Sequence, residues 1–167
     1  ELKESQEICF VSHGDYRTFI ERENPQAKKP GSFIDETGRS LGQHEGIAFY
    51  TPGQRRGLGI ATGQRLYVHS VMPATNTVML SHEESLYRNT CDVSDLNLFT
   101  SSFQNGPTVA EVKVRYATPT TPATIYPLNS STLRIQFHKP QRALSPGQSA
   151  VFYRDNEVLG GGIIQPF

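Results

Sequence analysis

Ala110-Glu111-Val112-Lys113-Val114-Arg115-Tyr116 alternates apolar or aromatic residues with charged ones without a break. Successive side chains of an extended strand point to opposite faces. Ala110, Val112, Val114 and Tyr116 are therefore expected on one face and Glu111, Lys113 and Arg115 on the other. Leu133-Arg134-Ile135-Gln136-Phe137-His138 repeats the pattern, with Leu133, Ile135 and Phe137 alternating with Arg134, Gln136 and His138. In each strand one face packs a core and the other displays polar groups and cations. Around these strands, helical periodicity is absent from Leu66 onward. Turn residues recur at Ala74-Thr75-Asn76, Asn105-Gly106-Pro107, Asn129-Ser130-Ser131, Ser145-Pro146-Gly147 and Asp155-Asn156. Short strands at such regular spacing predict an antiparallel barrel or sandwich. Gly160-Gly161-Gly162, following a strand, reads as a bulge or a close backbone approach rather than a ligand cradle.

The first third of the chain has a different texture. An apolar run ending at Val11 leads into Ser12-His13-Gly14-Asp15, and Tyr16, Phe19 and Ile20 follow at the i, i+3, i+4 spacing of a short amphipathic helix. Asp15 is the expected N-cap and Asn24-Pro25 the expected end, because the residue before proline avoids the helical region. Short strands at Phe33-Ile34 and Ile47-Tyr50 flank the turn Asp35-Glu36-Thr37-Gly38, and the Gly-rich loop Gly53-Gln54-Arg55-Arg56-Gly57-Leu58-Gly59 comes next. The fold class expected is α+β and mainly β: a small mixed α/β domain over residues 13–70, then an antiparallel β-barrel over 71–167, with the boundary near Ser70.

A chain of 167 residues can bury a core of its own. Sixteen Lys/Arg balance sixteen Asp/Glu, and 36% of residues are hydrophobic, which excludes a disordered composition. No run approaches the ~18 apolar residues of a membrane span, and Glu1-Leu2-Lys3-Glu4 lacks a signal-peptide layout. The chain reads as cytoplasmic with no membrane partner. It starts without Met, which predicts that it was trimmed from a larger one. Charge is segregated along the sequence. From Asn105 to Ala150, Lys113, Arg115, Arg134, Lys139 and Arg142 stand against Glu111 alone, a net of +4, whereas Glu83, Glu84, Asp92 and Asp95 cluster around the single cation Arg88. One basic and one acidic surface are expected.

Two cysteines, Cys9 and Cys91, match no zinc spacing, and no metal site is expected. Cys9 precedes a helix start, whose dipole can lower a thiol pKa and favour a nucleophile, with Arg17 as a second source of positive field. The plain alternative is a buried strand cysteine acting as a small hydrophobe. A hydrolytic pairing of Cys9 with His13 or His44 lacks any recognisable nucleophile signature. Cys91 has no cation within two residues and reads as inert. The loop from Gly53 to Gly59 holds Arg55 and Arg56 on a flexible backbone. It is either a phosphate contact or a tight connection with solvated arginines, and it lacks the Gly-Lys-Ser/Thr ending of a nucleotide loop.

Six strings in one order resemble the tRNA-specific 2-thiouridylase family. They are Glu4-Ser5-Gln6-Glu7-Ile8-Cys9-Phe10-Val11; Gly14-Asp15-Tyr16-Arg17 with Phe19; Leu41-Gly42 with His44 and Gly46; Thr51 with Gly53 to Gly59; Lys113-Val114-Arg115-Tyr116; and Pro146 to Tyr153 followed by Leu159-Gly160-Gly161-Gly162. The resemblance implies residues 1–12 as the tail of an ATP-pyrophosphatase domain, 13–70 as a tRNA-contacting central domain, and 71–167 as a barrel similar to domain 2 of elongation factor Tu.

It also implies an enzyme, a tRNA-uridine 2-sulfurtransferase that uses ATP and Mg²⁺ to activate the wobble uridine in the anticodon region of tRNA. The sulfur comes from a cysteine desulfurase relay. Cys9 corresponds to the persulfide cysteine, and Arg115, Tyr116 and Gln148 to tRNA contacts, joined here by Arg55 and Arg56. The ATP loop, Ser-Gly-Gly-Val-Asp-Ser in the family, does not occur in these 167 residues. This part alone is therefore expected to be monomeric, inactive and without a cofactor of its own. The stretch Leu86 to Gly106 carries none of the strings and is expected to depart from the family. A non-catalytic RNA-binding barrel is the alternative.

Overall fold

The computed structural model describes residues 16–116 and 118–167 and divides the chain into two units, meeting between His82 and Glu83. In the first, α1 (Tyr16–Glu23) ends where expected: Asn24 donates its N–H to the Ile20 carbonyl, and its side chain accepts from Gln26 N to start a single 3₁₀ turn at Pro25. Four strands follow, β1 (Gly31–Ile34), β2 (Ser40–His44), β3 (Tyr67–Met72) and β4 (Thr77–Ser81), in the sheet order β2-β1-β4-β3. The central pair β1 and β4 is parallel and both outer pairs are antiparallel. Asp35 closes the β1–β2 turn by accepting from Thr37 N, Thr37 Oγ1 and Arg39 N. Those bonds, led by the Thr37 hydroxyl, hold its carboxyl below the usual range. Phe33, Phe49, Tyr50, Leu58, Val68, Val78 and Leu80 form the core.

The expected boundary near Ser70 falls inside β3. Val68, at the start of that strand, packs with Val78 and Leu80 of β4, so the β3–β4 hairpin completes the first core and the division comes after β4. Isolated turn residues do not reveal which core a hairpin serves.

The second unit is a closed barrel of six antiparallel strands: β5 (Tyr87–Leu98), β6 (Thr108–Lys113), β7 (Thr121–Asn129), β8 (Thr132–Arg142), β9 (Ser149–Arg154) and β10 (Glu157–Ile164), in the cyclic order β10-β5-β8-β7-β6-β9. Each turn signal read from the sequence after Leu66 precedes or separates strands. The alternating runs behave as expected in part. Leu133, Ile135 and Phe137 are buried while Arg134, Gln136 and His138 are exposed, and Ala110, Val112 and Val114 are buried. Strand β6, however, ends at Lys113, so Arg115 and Tyr116 lie beyond it and Tyr116 is 70% exposed. Cys91, Val93, Ile125, Phe152, Leu159 and Ile164 fill the interior with these residues, and Phe103 packs against Phe152 with ring centroids 5.2 Å apart.

Closure depends on the glycine triplet in β10. A Cβ on Gly160 would lie 2.5 Å from the Asn97 carbonyl oxygen, one on Gly161 2.4 Å from that of Ala150, and one on Gly162 2.7 Å from that of Ser94. The triplet is thus a close backbone approach to both neighbouring strands, as the sequence reading held. Gly160→Ala is expected to destabilise the barrel by about 3 kcal/mol or more, combining a backbone clash with a φ of +136°. Gly147→Ala has a φ of +85° and open space around its Cβ, and should lose only about 1 kcal/mol. Urea unfolding midpoints of the two variants test this difference, and equal shifts would mean that the strands separate at little expense.

Candidate nucleic-acid interface

At one end of the barrel the chain leaves β6 and the half-buried Arg115 folds back onto the structure. Its guanidinium donates to the Ala143 carbonyl at 2.6 Å and to Ser145 Oγ at 3.4 Å. The outward, solvated strand arginine expected from the alternation is therefore not what forms. The pattern of alternate faces applies only while the strand lasts, and here it stops two residues short of Arg115. Burial, with the charge of Arg142 adding to it, lowers the Arg115 pKa below the usual arginine range. Arginine nevertheless remains protonated at neutral pH. Ala143 has φ +51° and donates its N–H to the Leu86 carbonyl, so Arg115 braces a strained corner.

Ser145 begins the turn that carries Gln148. Gln148 N donates to the Ser145 carbonyl, Pro146 occupies the second position and Gly147 has φ +85° at the third, the requirements of a type II turn. Gly147 N donates to the Ile164 carbonyl, and Ile164 N to the Gln148 carbonyl, which anchors the turn on β10. Gln148 itself is exposed. Tyr116, next to Arg115, has its ring 5.3 Å from Lys113 Nζ. Arg115, Tyr116 and Gln148 therefore gather at one end of the barrel. Arg142, also close enough to affect Arg115, was not singled out from the sequence. Its signal lies in cross-strand register, which local pattern does not contain.

The expected separation of a basic from an acidic surface breaks down where β5, with Asp92 and Asp95, pairs with β8, with Arg134, Lys139 and Arg142. Arg134 makes two bonds to Asp92, at 2.7 and 2.8 Å, and Arg142 pairs with Glu83 at 3.1 Å. The Arg134 hydrogen bond holds the Asp92 carboxyl below the usual range.

Arg55 and Arg56 lie in the first unit, on a loop less flexible than expected. Gln54 accepts from Thr51 N through Oε1 and donates from Nε2 to the Arg56 carbonyl, bridging the loop internally. Gly53 N and the Gln54 carbonyl bond the two backbone groups of Val68, and Leu58 is buried in the core. Both arginines are exposed.

Cys9 and His13 lie outside the described residues. Arg17, read as a source of positive field for Cys9, donates to Glu45 at 2.7 Å and lies over the Phe49 ring. His44 is a core residue. It is buried against Phe33 and Tyr50 with Nε2 3.2 Å from the Asn76 carbonyl, and burial lowers its pKa, so it keeps a neutral ring in the first core. Among the described residues no group of His, Cys, Asp and Glu could hold a metal, and no helix is long and apolar enough to cross a membrane. Cys91 is inside the barrel, where burial, reinforced by the Asp92 charge, pushes its thiol up to about 12.

Residues 17–82 match the family described as the tRNA methyl transferase PRC-barrel domain, and residues 88–164 match the aminomethyltransferase beta-barrel domain. The second match takes in β5, so the stretch from Leu86 to Gly106 belongs to the barrel family for most of its length. The chain is 44% identical over 162 residues to the tRNA-specific 2-thiouridylase MnmA of Pelotomaculum thermopropionicum, covering 97% of this chain and 44% of that protein. It is 46% identical over 162 residues to the MnmA of Acetivibrio thermocellus, covering 97% and 45%. With the MnmA of Clostridium acetobutylicum it shares 42% over 163 residues, covering 98% and 46%. The chain thus spans less than half the length of these relatives.

The state of Cys91 is open to direct measurement. In a Cys9→Ser variant the folded chain should expose no thiol to a disulfide reagent at pH 8 and one after denaturation. The unfolded chain releases the thiol proton first, so stability should fall as pH rises above about 9, and Cys91→Ala should flatten that fall. Rapid labelling of the folded variant would contradict the interior placement.

Proposed function

Since this chain belongs to the tRNA-specific 2-thiouridylase family, we propose that it is the tRNA-holding and sulfur-presenting part of an enzyme that 2-thiolates the wobble uridine of tRNA. The observation that carries this reading is the convergence of Arg115, Tyr116 and Gln148 at one end of the barrel, on a corner braced by Arg115 itself. Arg115 supplies a fixed positive charge, Tyr116 an exposed ring on which a base can stack, and Gln148 an amide that both donates and accepts. Arg55 and Arg56 add phosphate contacts from the first unit. The combination suits single-stranded or looped RNA, whose bases are available for stacking.

In this reading Cys9 carries the sulfur as a persulfide, received through a cysteine desulfurase relay, and delivers it to C2 of the uridine as the activated oxygen departs, while a second thiol of the full-length enzyme forms a disulfide with Cys9 and supplies the two electrons. ATP with Mg²⁺ supplies activation of the C2 oxygen. The residues present do not fit that nucleotide: the Gly53–Gly59 loop lacks a Lys-Ser/Thr ending, and no carboxylate cluster of metal-binding size occurs among the described residues. The work of these residues is to bind tRNA and present sulfur. In this reading the enzyme is monomeric and works in the cytoplasm. Cys91, with its thiol held protonated, is no second sulfur carrier.

Gln148→Ala and Arg115→Ala should each weaken tRNA binding by the full-length enzyme, and Arg115→Ala should lower the slope of log K against log salt by about 0.7 to 0.9. Filter binding across a salt series measures both, and unchanged affinity and slope would make Arg115 a brace only. Cys9→Ser should abolish 2-thiouridine formation, read by mercury-gel retardation, while tRNA affinity stays near wild type. Serine cannot hold a transferable sulfane sulfur. Normal product from that variant would leave the non-catalytic RNA-binding barrel as the better description.

A further inference from the structure

We infer that a cleft in the first unit, lined by Arg55 and Arg65 with Thr62 and Gln64, grips the phosphodiester backbone of an RNA strand. This inference rests on the tRNA reading and adds to it a surface built by residues 55–66. The cleft has a volume of about 360 Å³ and is bounded by Arg55, Gly57, Gly59, Thr62, Gln64 and Arg65. From Gly46 to His82 the sequence contains no Asp or Glu and three arginines, Arg55, Arg56 and Arg65. Three cations elsewhere in this unit, Arg17, Arg22 and Lys28, each meet a glutamate. Among the described residues Arg55, Arg56 and Arg65 have no ion pair, and all three are exposed. Uncompensated guanidinium groups lining one concave surface make an anion site, and planar donor forks favour phosphate.

The backbone of the cleft supports the same ligand. Gly57, Gly59 and Gly63 have φ of +73°, +68° and +71°, and a Cβ on Gly59 or Gly63 would meet nothing within 4 Å. These glycines are required by backbone conformation and not by internal packing. Their bare faces leave the main chain open to close approach. The loop is held in shape by buried Leu58 and by the Gln54 bridge, so Arg55 and Arg56 stand on a fixed base. A phosphodiester strand carries a charge at every nucleotide and so offers each arginine a phosphate of its own, which a single free phosphate does not.

The test uses the full chain and an unmodified tRNA transcript, with inorganic phosphate as the competing probe. Arg65→Ala should weaken binding about 3- to 10-fold at low salt and lower the salt slope by about 0.7 to 0.9, and the Arg55→Ala, Arg65→Ala double variant should lower the slope by about twice that. Lys28→Ala, already matched with Glu21, serves as the control and should change the slope little. Millimolar phosphate should compete weakly. If Arg115→Ala and Gln148→Ala weaken tRNA binding while Arg65→Ala changes neither affinity nor slope, the cleft is not a phosphate site and the RNA reading stands on the barrel alone. Micromolar inhibition by phosphate would replace the strand with a free anion as the occupant and overturn the inference. A wild-type chain with no salt-dependent tRNA binding would remove both readings together.

Discussion

Six antiparallel strands close on themselves in the second unit, and closure requires main chains to approach where any side chain would intervene. Gly160, Gly161 and Gly162 meet carbonyl oxygens of Asn97, Ala150 and Ser94 within distances that exclude a Cβ. A closed barrel has no unpaired edge to template association with another chain. It also fixes the barrel-end corner. The Gln148 turn is tied to Ile164 at the end of the same strand that carries the glycines. A shift in β10 would therefore be felt at Gln148, and through Ser145 at Arg115.

Electrostatics in the barrel follows from strand order more than from composition. The acids of β5 and the turn before it are distant in sequence from the bases of β8 and adjacent in space, so Asp92 meets Arg134 and Glu83 meets Arg142. Such exposed pairs contribute little to stability, about 0.2 to 1 kcal/mol each. Their larger effect is to bring together charges that the sequence segregates, so that Asp92 and Glu83 each offset a cation of β8. The first unit differs: its acids lie outside the 46–82 segment altogether.

Much of the architecture was legible because period-two alternation and turn residues are local properties. The buried faces of β6 and β8 and the position of each turn after Leu66 could be read one residue at a time. Arg115 could not, because where a strand stops depends on what its neighbours offer to pair with, and Ala143 is 28 residues away. The boundary failed for a related reason: Val68 is buried by Val78 and Leu80, which come after the expected cut. Arg134 looked like part of a cationic face until register placed Asp92 opposite it. The sulfur role proposed for Cys9 rests on resemblance alone, since Cys9 by itself fits both a nucleophile and a core residue. Cys91 could be read as inert from its sequence neighbours, and its place inside the barrel supplies the cause.

The Gln54 bridge has a consequence for the RNA contact proposed for the first unit. One amide group joins Thr51 N to the Arg56 carbonyl, so the loop is ordered before anything binds. A disordered basic tail adapts to any polyanion and loses conformational entropy in doing so. A rigid rim with cations at set positions loses much less, but it accepts only a backbone whose curvature brings phosphates to those positions. Discrimination of this kind works on shape: a folded RNA and an unfolded strand of the same charge would be told apart before any base was read.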